Sequence, residues 1–97
     1  MIVITHTSGE ITITGHANYA PIGQDIVCSA VSTLTQVFIA SVEKFTTDNL
    51  KCDIGAGNAV IRYKNLTKDA RLLLGSFLFG LKLIAKNYPN NVKLTEP

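Results

Sequence analysis

The chain is predicted to fold as an α+β sandwich: a mainly antiparallel sheet of four to five strands with two helices packed on one face, in the order ββαββαβ. Three observations carry this. Paired stretches of period-two alternation occur twice, near 2–13 and 50–63. Each pair is followed by a long stretch of helical periodicity. A length of 97 residues admits one domain, spanning 1–97.

Each element follows from its residues. Ile2 and Ile4, then Ile11 and Ile13, alternate with polar neighbours, and Ser8-Gly9 between them is a hairpin turn. Gly15 ends the second strand. Residues 17–24 carry no period, and Pro21 and Gly23 mark irregular backbone. A connection of that length in a small domain is often functional. Asp25 is an N-cap, which makes Ile26 the first helical residue and Cys28 the third. Val27, Val31, Leu34, Phe38, Val42 and Phe45 form the core stripe, and the helix ends near Thr46 and Thr47. Leu50, Cys52 and Ile54 alternate, Gly55 to Asn58 turn, and Val60, Ile61 and Tyr63 complete a second hairpin. Thr67 caps a second helix whose inner stripe is Ala70, Leu73, Leu74, Phe77, Leu81 and Ile84. Leu72, Phe79 and Leu83 lie well round from that stripe, as expected of a helix that also meets a partner subunit. Val92-Lys93-Leu94 adds a short edge strand.

Composition narrows the function classes. Hydrophobic residues make up 46% and charged residues 16%, apolar enough in a short chain to point to a surface hidden by self-association. A net charge of +2, with dispersed lysines, is no footprint of nucleic-acid binding. Two distant cysteines and two histidines offer no metal-ligand spacing, so no metal is expected. The N-terminus lacks the pattern of a signal peptide. The apolar run from Leu72 to Ala85 is interrupted by Gly75, Ser76, Gly80 and Lys82, which argues against a membrane span. Two free thiols suit a reducing cytoplasm.

The chemistry centres on Cys28. Unpaired N–H groups at a helix start favour negative charge, which suits a thiolate. Its side of the helix carries Ser32 and Thr35 rather than the core stripe. His16, just past the second strand, is either a solvated loop residue or the base of a Cys–His pair. Asp25 serves first as cap, or else orients His16. Ser32 either hydrogen-bonds within the site or is a small residue at a helix contact. The N–H groups of the first helical turn are candidate oxyanion donors. His6 reads as structural, and Cys52 as buried and inert beside Leu50 and Ile54. The expected activity is that of a small cysteine hydrolase; the alternative, resting on the mild positive charge and the small α+β architecture, is a non-catalytic binding module.

Gly15-His16-Ala17, followed by Gly23-x-Asp25-Ile26-Val27-Cys28-x-Ala30-Val31-Ser32, resembles the signature of the ribosomal-processing cysteine proteases. These small bacterial enzymes remove an N-terminal extension from a large-subunit ribosomal protein. The resemblance implies His16 and Cys28 as catalytic dyad, Asp25 and Ser32 as supporting residues, and a homodimer; the non-catalytic alternative is then a ribosome-associated binding module. No cofactor is expected. It also implies that residues 17–24 close over the N-terminal segment of the ribosomal protein. Tyr19 and Ile22, with Gly23 beside them, would then contact the substrate. Gln24 departs from the pattern, standing where a basic residue is common.

Overall fold

Alternation at the N-terminus produces two strands, β1 (Ile2–Thr7) and β2 (Glu10–Thr14), paired antiparallel around Ser8-Gly9. The structure, a computed structural model, describes residues 1–21 and 23–97; Ile22, an expected substrate contact, lies outside the described residues. Helix α1 (Ile26–Phe45) follows, then β3 (Lys51–Gly55), β4 (Asn58–Arg62), α2 (Lys68–Asn87) and β5 (Val92–Thr95). The order is the expected ββαββαβ. The five strands lie in the order β3-β4-β2-β1-β5. Every pairing is antiparallel except that of β5 with β1, which is parallel because α2 carries the chain back across the sheet.

Register decides which face is buried. Ile4 pairs with Ile13, Ile13 with Ala59, and Ile11 with Ile61, so these side chains share one face with Ile2 and Val92. All are buried. Against them pack Val27, Val31, Phe38 and Val42 of α1, and Ala70, Phe77 and Leu81 of α2. The two helices meet through Phe38 and Phe77, whose rings stack with centroids 4.6 Å apart. Helix α1 is long and apolar enough to cross a membrane by length and composition alone. Here its inner face belongs to the core, while Ser29, Ser32, Thr33, Gln36, Glu43 and Lys44 face outward and are exposed.

Three expectations need correction. Phe45, placed in the core stripe, is the last residue of α1 and is 65% exposed. Thr35, assigned to the polar side of α1, is buried, and its Oγ1 donates to the Val31 carbonyl at 2.7 Å. An internal acceptor one turn back makes a threonine acceptable in the core. Cys52 is exposed, as is every residue of β3. Its face was read correctly, since it pairs with buried Ile61. The helix layer leaves this edge strand uncovered, so facing inward does not bury it. Desolvation nonetheless raises the Cys52 thiol above its ordinary value, which makes it slow to form a thiolate. His6 is held as expected: its Nε2 lies 2.7 Å from the Tyr63 hydroxyl, and Glu96 flanks Nδ1 at 3.6 Å.

Candidate active site

The site forms where β2 releases the chain. The Gly15 N–H donates to the Gly57 carbonyl at 2.9 Å, so the segment leaves the sheet beside the β3–β4 turn. His16 follows and is exposed, with its imidazole lying against that turn. Ala17 is buried and bonded at both ends. Its N–H donates to the Cys28 sulfur at 3.3 Å, and its carbonyl accepts from the Asn91 side-chain amide at 2.9 Å. The loop therefore starts from a fixed point against the thiol.

Asp25 ties the rest of the loop to α1. Its Oδ1 accepts the N–H groups of Val27 and Cys28, each at 3.0 Å. Its Oδ2 accepts the Tyr19 N–H at 3.0 Å. One buried carboxylate thus caps the helix and ties Tyr19 back to its start. This settles a choice the sequence left open in favour of capping: both oxygens are engaged by backbone, and no Asp25–His16 bond exists among the described residues. It also corrects an expectation. The Val27 and Cys28 N–H groups are taken by the cap and are not free as oxyanion donors.

Those bonds, that from Cys28 foremost, hold the Asp25 carboxyl below its ordinary value of 3.8, against the opposing effect of burial. A folded-state value below that of the unfolded chain means the stabilisation is complete above about pH 4 and is lost as pH falls through the folded value. Asp25→Asn keeps an acceptor for the cap but removes the titration. The expected result is a flatter acid limb in stability-versus-pH measurements, with the helix retained. An acid limb identical to the wild type would show that other carboxylates govern it.

Cys28 is half-buried, with its side chain packed at the border of the core. It opens onto two cavities, and His16 lines both. The larger, about 460 Å³, is also lined by Asn18, Gly23, Asp25 and Ser29. The smaller, about 160 Å³, is also lined by Ser32, Gly55, Gly57 and Asn58. Ser32 is exposed at the mouth of the smaller cavity. Tyr19 is 49% exposed, with its ring edge-on to Tyr88 at 5.4 Å between centroids. No hydrogen bond joins His16 to Cys28 among the described residues. A wider depression of about 600 Å³ runs past Ser8, Tyr63, Lys64 and Arg71, but holds neither cysteine nor histidine. No cluster suited to a metal ion occurs among the described residues.

A buried backbone N–H thus points at a half-buried thiol, and an imidazole lines the same cavities, which makes Cys28 and His16 candidates for thiol chemistry. Comparison with known proteins decides the family. A model of the family described as cysteine protease Prp matches residues 1–93. The chain belongs to the Prp cysteine protease family. Its chemistry is that of a peptidase, which sets aside the binding-module alternative. The ribosomal processing cysteine protease Prp of Mycoplasma pneumoniae is 29% identical, over 99% of this chain and 95% of its own length. That of Bacillus subtilis is 28% identical, over 94% and 89%. The fold matches an essential ribosomal processing protease Prp from S. aureus in complex with a covalently linked product peptide, with a TM-score of 0.95 and 24% identity over the whole of both chains.

Several contributors escaped the sequence reading. The Ala17 N–H is a backbone group and leaves no residue signature. Asn91 and Tyr88 lie more than 60 positions from the loop they hold. The β3–β4 turn reads only as a turn, and its place beside His16 depends on the β2–β4 pairing.

Proposed function

We propose that this Prp family member removes the N-terminal extension of a large-subunit ribosomal protein with a Cys28–His16 dyad, working as a cytoplasmic homodimer. One observation carries the dyad: Cys28 and His16 open onto the same two cavities, with the Ala17 N–H directed at the sulfur. The names of the relatives support the processing role.

His16 takes the Cys28 proton, and the sulfur attacks the scissile carbonyl to form a tetrahedral oxyanion. The Ala17 N–H, donating to the sulfur at 3.3 Å, stabilises the thiolate that this proton transfer creates. The protonated imidazole then gives its proton to the departing amine, leaving an acyl-enzyme that water hydrolyses. Asp25 acts as a positioning residue: it holds the helix start and the loop in register. Ser32 borders the smaller cavity beside the thiol. The described part of the expected lid, residues 17–21 with 23 and 24, is hinged at Ala17, with Asn18 in the left-handed region at φ 55. Tyr19 and Gly23 offer contacts to an apolar peptide.

Self-association is supported by α2. Leu72, Phe79 and Leu83, spaced seven and four apart, form an outer stripe opposite the core and are 74%, 62% and 45% exposed.

Mass spectrometry of the protein incubated with a peptide spanning an extended ribosomal-protein N-terminus tests the reading. The expected result is a single internal cut. An uncut peptide would overturn it, and a sedimentation mass of one chain would overturn the dimer.

A further inference from the structure

We propose that Gly57, in the turn between β3 and β4, is a positioning residue for His16: its missing side chain is the seat in which the imidazole rests. The inference rests on His16 acting on Cys28. A Cβ placed on Gly57 would lie 2.8 Å from His16 Nε2, 3.2 Å from Cε1 and 3.5 Å from Cδ2. Carbon needs about 3.5–4.0 Å from such atoms, so any side chain at this position evicts the ring.

The backbone cannot absorb the clash. The Gly57 carbonyl accepts the Gly15 N–H at 2.9 Å, which fastens the turn to the residue preceding His16. On the other side, Ala17 is held by the Cys28 sulfur and by Asn91. With the chain pinned on both flanks, the imidazole itself has to move. Gly57, His16 and Cys28 all line the cavity of about 160 Å³, so a displaced ring changes the space beside the sulfur. The turn thus sets the point from which the imidazole meets the sulfur, and β3 and β4 contribute to catalysis without supplying a reacting atom. A misplacement of roughly 1 Å in such a pair costs up to about 100-fold in rate.

Gly57 also has φ 70, so two effects of substitution must be separated. Gly57→Asn carries the offending Cβ on a residue that tolerates this backbone, whereas Gly57→Ala adds strain. Gly9→Ala imposes comparable strain, at φ 82, at the opposite end of β2, where its Cβ would meet the Tyr63 carbonyl instead of His16. The experiment measures kcat and KM for peptide cleavage, and the pH profile of Cys28 alkylation by iodoacetamide, with His16→Ala as reference. Both Gly57 variants are expected to lose about 10- to 100-fold in kcat with little change in KM. Their alkylation profiles should move toward that of His16→Ala, while Gly9→Ala keeps the wild-type values. A folded Gly57→Asn protein with wild-type kcat and alkylation profile overturns the proposal. If the wild type and His16→Ala alkylate identically across pH, the role of His16 falls, and that of Gly57 with it. If the His16→Ala profile differs but Gly57→Asn matches the wild type, only the positioning role is lost.

Discussion

Cys28→Ala protein is expected to release no product from the ribosomal-protein peptide, a fall of about 10⁴-fold or more. In the proposed mechanism every covalent step passes through this sulfur, and no other described nucleophile shares both its cavities and an imidazole. Truncation removes only one atom from a half-buried site at the edge of the core, so the fold survives and the variant still binds peptide. That separates chemistry from binding: KM-type affinity persists while turnover disappears. Cys52→Ala is the matched control and keeps full activity, because Cys52 lies on the uncovered edge strand. Alkylation should follow the same division. Cys28 is expected to react first at neutral pH if His16 takes its proton, while desolvation lowers the Cys52 thiolate fraction further. Cleavage that persists in Cys28→Ala would end the dyad mechanism.

The largest loss of stability is expected at Phe77. Its ring is 3% exposed and stacks on Phe38, which is equally buried, so this pair is the joint between α1 and α2. Phe77→Ala removes the joint and leaves a cavity that neither helix can close without leaving the sheet. The cost is about 3–5 kcal/mol, a large share of the roughly 5–15 kcal/mol available to a domain. For a chain of this size the melting temperature falls by about 15 °C or more. Cleavage measured well below the new midpoint should be little changed, because the stack does not touch the site. Phe77→Leu, which refills part of the volume, should lose clearly less. A Phe77→Ala protein melting within a few degrees of the wild type would show that the helices are held together elsewhere.

Much of this was legible in one dimension. Alternation at Ile2/Ile4 and Ile11/Ile13 named both the first hairpin and its buried face. Asp25 announced the start of α1, and Thr67 that of α2. Local rules suffice there, because caps and periods act over a turn or two of chain. The likeness of residues 15–32 to a protease signature also pointed to the family that the comparison then showed. Cys52 shows where such reasoning stops. Its alternation identified the inward face, yet whether a helix lies over that face is a matter of how far the helix layer extends. Phe45 also keeps the period of the core stripe, yet as the last residue of α1 it is exposed.

The amino-acid order by itself determined the elements, their caps and the inner face of most of them, since these depend on neighbours a few positions away; it also singled out Cys28 and His16 as the candidate dyad. Tertiary structure alone decided that Asp25 spends both oxygens on backbone, that Ala17 aims its N–H at the sulfur, and that a turn more than 40 positions later receives the imidazole. Those contacts exist because strand pairing and helix packing bring distant backbone to one end of the sheet, and backbone groups carry no letter of their own.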